Sequence, residues 1–228
     1  MSASTTVLVI AKEPRPGRVK TRLTPPFTPE EAAGLAEAAL ADTLHAVAAV
    51  PAARRVLVLA GAPGPWLPPG FDVVPQCAGG LDERLADAFA RCAGPALLVG
   101  MDTPQVTPGL LDVDFADCDA WFGPAEDGGF WALGLADPDP GLLRGVPMST
   151  AVTGALQRDR LVRAGLRVRD LPRLRDVDTA ADAHAVAALA PHSRFAVRLA
   201  RCMALVPPDS PRDAGPATRP TTPPAGPR

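Results

Sequence analysis

Neither charge predominates in this sequence. Its 228 residues carry 23 Lys and Arg against 25 Asp and Glu, a formal net charge of −2. No overall field draws such a chain toward nucleic acid, so no nucleic-acid partner is expected. Cysteine is sparse: Cys77, Cys92, Cys118 and Cys202 are scattered and match none of the pair spacings of zinc sites, which points to buried thiols in a reducing compartment. Histidine is sparser still. His45, His184 and His192 lie in or beside alanine-rich segments, and no Ser/His/Asp or Cys/His grouping stands out. Long apolar runs are missing too: no segment reaches the roughly 20 apolar residues that span a bilayer. The apolar run near the N-terminus is shorter than a signal-peptide core and is followed, not preceded, by basic residues. A cytoplasmic protein without stable membrane insertion is the expectation.

What the sequence does contain is an alternation of short buried strands and amphipathic helices. Thr6-Val7-Leu8-Val9-Ile10 reads as a buried first strand. Thr28-Pro29-Glu30-Glu31 has the form of a capping box with proline at the first helical position, and Leu35, Ala36, Ala39, Leu40, Leu44 and Val47 recur on one helical face as far as Pro51. Arg55–Ala60 is a second apolar strand, making a right-handed βαβ unit. The segment Gly61–Gly70, with four prolines and Trp66, predicts a surface loop. Phe71–Pro75 suits a brief edge strand, Leu81 to Cys92 a helix, and Ala96–Gly100 a third buried strand.

Ala120–Phe122 and Phe130–Leu135 flank Gly123-Pro124-Ala125-Glu126-Asp127-Gly128-Gly129 and predict two strands with an acidic, glycine-rich connection. A helix over 150–164, a strand over 167–171, the acidic turn Asp176-Val177-Asp178-Thr179 and a helix to Leu189 follow. The alternation predicts an α/β fold with a mixed, mostly parallel sheet flanked by helices. A last helix over 193–206 places Phe195, Leu199 and Met203 on one side and Arg194, Arg198 and Arg201 on another, which suits docking on the domain or contact with a membrane surface. One domain over residues 1–206 is expected, with a proline-rich disordered tail over 207–228.

In an open α/β sheet, ligands bind at the carboxyl ends of the strands. Three features lie at such ends. The loop after the first strand holds Lys12, Arg15, Arg18, Lys20 and Arg22, with Gly17 permitting close backbone approach. Arginine grips phosphate bidentately and lysine acts as a compact charge, so the set suits a diphosphate, though a solvated basic loop has the same composition. It is not a Walker A loop. Asp102, in Gly100-Met101-Asp102-Thr103-Pro104, follows the third strand, and the turn containing Asp176 and Asp178 is also acidic. Two carboxylates with phosphate oxygens and water suit Mg2+ or Mn2+; each acid could instead serve as a turn former or helix cap. Asp127 could act as a general base or simply shape a hairpin.

Together these residues resemble a family: the small bacterial glycosyltransferase-like proteins of the DUF2064 group, within the nucleotide-diphospho-sugar transferase (GT-A) superfamily. The likeness rests on Ala11-Lys12-x-Pro14-x-Pro16-Gly17-x-Val19-Lys20-Thr21-Arg22-Leu23, on Gly100-x-Asp102-Thr103-Pro104, on Gly123-Pro124-Ala125-x-Asp127-Gly128-Gly129-Phe130-Trp131 with Gly134-Leu135, and on Asp176-x-Asp178-Thr179. It implies a Rossmann-like GT-A fold that binds a nucleoside diphosphate or triphosphate with a divalent cation. It also implies Asp102 as metal ligand and Asp178 as a second. Two departures stand out. Between Gln76 and Arg84, which would help hold the nucleoside, Gly79-Gly80-Leu81-Asp82 replaces the usual Gly-Asp-Leu-Gly; and Gly100 leaves no Asp-x-Asp after the third strand.

The resulting expectation is a metal-dependent transferase with a nucleotide or nucleotide-sugar donor, moving a sugar to a small-molecule acceptor. Lys12, Arg15, Lys20 and Arg22 would hold phosphates, Asp102 and Asp178 the metal, and Asp127 would deprotonate or orient the acceptor, with Lys20 assisting catalysis. A guanylyltransferase-like nucleotidyltransferase releasing pyrophosphate is the alternative, and a non-catalytic nucleotide-binding module is the alternative of another class. Acceptor determinants are expected in the loop around Trp66 and in residues 136–148.

Overall fold

The first strand, β1 (Thr6–Lys12), is apolar on both sides because both of its faces are covered. Val7 and Val9 enter one core with the helix α1 (Pro29–Ala48), whereas Leu8 enters another with the helix α2 (Leu81–Ala90). The computed structural model describes residues 5–204. Around β1 it builds a seven-stranded sheet from β2 (Arg54–Ala60), β3 (Asp72–Pro75), β4 (Ala96–Val99), β5 (Ala120–Pro124), β6 (Phe130–Leu135) and β7 (Val168–Asp170), in the order β3-β2-β1-β4-β6-β5-β7. Pairing is parallel except on either side of β6, which runs antiparallel to β4 and β5. This is the mixed, mostly parallel α/β architecture that the strand and helix alternation predicts.

The chain starts on β1, moves outward to β2 and β3, then returns to lay β4 on the opposite side of β1. Loops leaving β1 and β4 therefore diverge and open a crevice between them. Since β6 is antiparallel to β4, its first residues lie at the same edge, fixed where Gly100 N–H donates to the Trp131 carbonyl at 2.9 Å.

Local chemistry accounts for the helix starts. In α1 the Thr28 hydroxyl accepts from Glu31 N–H at 3.1 Å, and the Glu31 carboxylate accepts from Thr28 N–H at 2.8 Å. The helix expected from residue 150 begins later, as α4 (Thr153–Arg163). Ser149 has φ of 59°, and Thr153 Oγ1 donates back to the Pro147 carbonyl, so residues 149–152 form a turn ahead of the helix. A four-residue helix α3 (Pro108–Leu111) is too short to carry a periodic signal. The last two helices are α5 (Ala180–Leu189) and α6 (Arg194–Ala204). Phe195, Leu199 and Cys202 of α6 pack with Leu35 and Ala39 of α1, so α6 docks on the domain; Cys202, not Met203, completes its buried face. No described helix is long and apolar enough to cross a membrane. The expected tail over 207–228 lies outside the described residues.

The loop around Trp66 differs from expectation. Trp66 is buried in the core that also contains Leu59 and Leu40, and the loop does not reach the crevice. Burying the indole fastens a segment whose prolines forbid a regular element, so this segment, expected from the sequence to carry acceptor determinants, is a clamp on the domain outside the cleft lining.

Candidate functional site

The crevice between β1 and β4 is a cleft of about 520 Å³. Lys12, at the end of β1, opens it, with Lys12 N–H directed at Met101 Sδ across the crevice. The following loop turns through Gly17, at φ 70°, and reaches Lys20, whose own backbone is left-handed at φ 49° and ψ 37°. A 3-10 turn, Thr21–Leu23, then plants Leu23 in the core. Buried Leu23 and Val19 on either side of Lys20 fix where its side chain emerges.

The acidic residues arrive from three directions. Asp102 follows β4. Asp127 sits in the turn between β5 and β6, its Oδ1 accepting from Gly129 N–H at 2.8 Å. Asp176 and Asp178 come from the segment after β7. That segment follows the sheet edge: Leu171 and Leu174 N–H donate to the carbonyls of Phe122 and Pro124, and Val177 N–H donates to the Asp102 carbonyl at 3.0 Å. All four acids line the cleft.

Lys20 Nζ lies 2.7 Å from Asp102 Oδ1 and 3.2 Å from Asp178 Oδ1, and its side chain is only 7% exposed. Burial works against its charge, but the carboxylates of Asp102 and Asp178 outweigh burial and raise its pKa. Arg22 reaches Asp178 Oδ2 at 3.7 Å from a largely exposed position. Asp176 is pushed up to about 7, first by burial and then by the charges of Asp102 and Asp127, against the opposing pull of Lys20. Four carboxylates gather here around one buried ammonium, and the imbalance falls on Asp176.

The cations divide in a way composition could not show. Lys12, Arg18 and Arg84 line the cleft and make no ion pair among the described residues. Arg15 turns away: its Nε donates to Glu13 Oε1 at 2.6 Å, while Glu13 Oε2 accepts from Ala62 N–H. Of the expected phosphate set, Arg15 is therefore paired outside the cleft lining. Gly17 lies outside the cleft lining, and its positive φ of 70° serves the turn. Gln76 lines the cleft, but its Nε2 donates to the carbonyls of Ala11 and Val58, and its Oε1 stands 3.5 Å from Arg84 Nη1. Its amide orientation is thereby set.

Phe130, Met148, Ser149, Thr150 and Thr153 also line the cleft, and of these Ser149, Thr150 and Thr153 carry no functional expectation from the sequence. Of the expected segment 136–148, Met148 alone reaches the cleft; Leu142, Leu143 and Val146 are buried. Asp176 was visible as part of a motif but gained a place at the site only through the path of residues 171–178.

Among the described residues, no group of three or more His, Cys, Asp or Glu is placed to hold a metal ion. The convergence of Asp102 and Asp178 on one point is a two-carboxylate set. Hard oxygen donors in that number fit magnesium, which draws one or two carboxylates from a protein and the remainder from phosphate and water.

Residues 35–150 match the family described as uncharacterized proteins conserved in bacteria, DUF2064. The chain belongs to this family. No curated protein matches this DUF2064 chain in sequence. Among solved structures, it is similar to a candidate nucleotide-diphospho-sugar transferase from Desulfovibrio desulfuricans, at 27% identity and a TM-score of 0.79, over 90% of this chain and 96% of that one. It shares its fold with 2-C-methyl-D-erythritol 4-phosphate cytidylyltransferase from Thermus thermophilus, at 17% identity and a TM-score of 0.51, over 82% of this chain and 99% of that one. A further match in fold is the inositol-1-phosphate CTP transferase from T. maritima, at 11% identity and a TM-score of 0.52, over 83% and 96% of the two chains. These three are described as transferases.

Proposed function

We propose that this DUF2064 protein is a metal-dependent transferase that takes a nucleoside-diphosphate sugar as donor and passes the sugar to a small acceptor hydroxyl. The observation that carries the reading is the facing of three cations without acid partners among the described residues, Lys12, Arg18 and Arg84, against the carboxylate pair of Asp102 and Asp178 at the switch point of the sheet. Phosphate oxygens satisfy Lys12 and Arg18 of the first group and a divalent cation the second, a diphosphate spans both, and Arg84 is left for the nucleoside. The likeness to the Desulfovibrio protein, nearly end to end in both chains, favours a sugar donor.

In this reading Lys12 and Arg18 take the phosphates. Arg84 and Gln76 flank the nucleoside, with the Gln76 amide held by backbone carbonyls so that its Oε1 keeps one direction. Asp102 and Asp178 hold Mg2+ or Mn2+, which would neutralise charge gathering on the departing diphosphate. Asp127 orients the acceptor hydroxyl and accepts its proton through Oδ2, because Oδ1 is occupied by Gly129 N–H. Thr150, Thr153 and Phe130 form the wall an acceptor meets.

A product assay across nucleotide sugars and nucleoside triphosphates, with Mg2+, Mn2+ or EDTA, tests the proposal. Metal-dependent release of nucleoside diphosphate from a nucleotide sugar is the expected result. Pyrophosphate released from a triphosphate would reassign the reaction to nucleotidyl transfer. Neither product, with nucleotide binding indifferent to metal, would make the chain a binding module.

A further inference from the structure

Lysine occurs at only two positions in the chain, 12 and 20, among its 23 Lys and Arg residues, and both line the cleft. Everywhere else the sequence uses arginine. At position 20 the distinction has a physical use. A guanidinium is a flat fork, whereas an ammonium is a compact point charge. Lys20 Nζ sits between Asp102 Oδ1 and Asp178 Oδ1, at 2.7 and 3.2 Å, where a small spherical cation would sit.

The surroundings hold that arrangement in place. Lys20 is shielded from water, its backbone is left-handed, and buried Val19 and Leu23 anchor the chain on both sides. Asp102 and the segment bearing Asp178 are tied together by Val177 N–H on the Asp102 carbonyl. That backbone bond keeps the two acid-bearing segments adjacent, and one ammonium, Lys20, meets a carboxylate oxygen from each.

Resting on the metal and nucleotide reading above, we propose that Lys20 is a built-in counter-ion that occupies the divalent-cation position in the donor-free protein and leaves it for the donor's phosphates when metal and donor arrive together. An ammonium held at these distances from both carboxylates and a dication at about 2.1 Å from the same oxygens exclude one another. Free metal must displace a buried lysine from both of its ion-pair partners. A metal–diphosphate complex brings new anionic oxygens for the displaced ammonium. Metal and donor thus each raise the affinity of the other, and the coupling is reciprocal. The device keeps the Asp102 and Asp178 carboxylates paired and the position between them closed to stray dications until a donor is present.

Titration of Mn2+ by calorimetry, with and without inorganic pyrophosphate, tests this on the wild-type chain and on Lys20→Met. The wild type is expected to bind Mn2+ weakly alone and about tenfold or more tightly with pyrophosphate, within the usual range of coupling between sites. Lys20→Met is expected to bind Mn2+ alone about tenfold more tightly than the wild type and to lose most of the gain from pyrophosphate. Unchanged or weaker Mn2+ binding by the variant would overturn the counter-ion role while leaving metal binding intact. Absence of Mn2+ binding by the wild type, with and without pyrophosphate, would overturn the metal reading and this inference together. A second measurement needs no substitution. With 15N-lysine labelling the chain has only two side-chain resonances, and the Lys20 signal should stay in place with pyrophosphate alone and shift when Mg2+ and pyrophosphate are both added. A Lys20 signal unmoved by both, with calorimetry showing that they bind, would contradict the proposal.

Discussion

Two arginines three positions apart in one loop have opposite fates. Arg15 is neutralised by Glu13 outside the cleft, and Arg18 faces into it without an acid partner among the described residues. A charge-assisted hydrogen bond to phosphate is worth about 1.5–3 kcal/mol. Arg18→Ala should therefore weaken donor binding by about tenfold or more, and Arg15→Ala by less than about twofold, when both are titrated with the donor identified by the product assay. Equal losses would return Arg15 to the phosphate set. At Asp127, asparagine keeps the acceptor that Gly129 N–H needs and removes only the proton-accepting charge. Asp127→Asn should bind donor normally and turn over about 10²–10⁴ times more slowly; a variant at full rate would leave the residue as a turn former. Away from the site, Asp119 takes hydrogen bonds from the Arg167 side chain and backbone N–H, which hold its carboxyl at about 2. A folded-state pKa below the ordinary 3.8 means that the stabilisation is complete above that value and is lost as pH falls through about 2. The difference in melting temperature between Asp119→Asn and the wild type should accordingly be largest near neutrality and shrink across that window.

At the scale of elements, the site depends on how the β5–β6 turn meets the start of α4. Gly154 N–H donates to the Gly128 carbonyl at 2.8 Å, and a methyl group at position 154 would press on the carbonyls of Gly128 and Gly129. Gly128 adopts φ of 89° with its α-carbon against the Ala151 backbone, so neither glycine has room for a side chain. Gly154→Ala should cost about 1–3 kcal/mol, a fall of several degrees in melting temperature for a chain of this size, and should displace Thr150, Thr153 and Asp127 together. Most elements were legible beforehand, because β-branched runs such as Thr6–Ile10 and a capping box such as Thr28–Glu31 announce themselves locally. Tertiary information was not. The pairing of Arg15 with Glu13 competes with phosphate binding without altering composition, and Asp176 enters the cleft only because residues 171–178 hydrogen-bond along the edge of β5. The prolines around Trp66 correctly implied irregular structure, but burial of the indole is a tertiary fact that local pattern does not encode.

For the whole molecule, the order of strands determines the chemistry. Had β4 continued outward beyond β3, no crevice would open beside β1, and the loop of cations would face solvent. Because β4 returns to the other flank, the cationic loop and Asp102 become neighbours, and the segment after β7 crosses the sheet edge to add Asp176 and Asp178. Centrally, a nucleotide's phosphates and a divalent cation are expected to bind here as a unit. The most direct test is calorimetric titration of a panel of nucleoside diphosphates and triphosphates into the wild type and Asp102→Ala, in Mg2+ and again in EDTA. At least one nucleotide should bind about tenfold or more tightly with Mg2+ than with EDTA, within the usual range of coupling between sites, and Asp102→Ala should abolish this difference. No binding by any nucleotide, or equal affinity with and without metal, would contradict it.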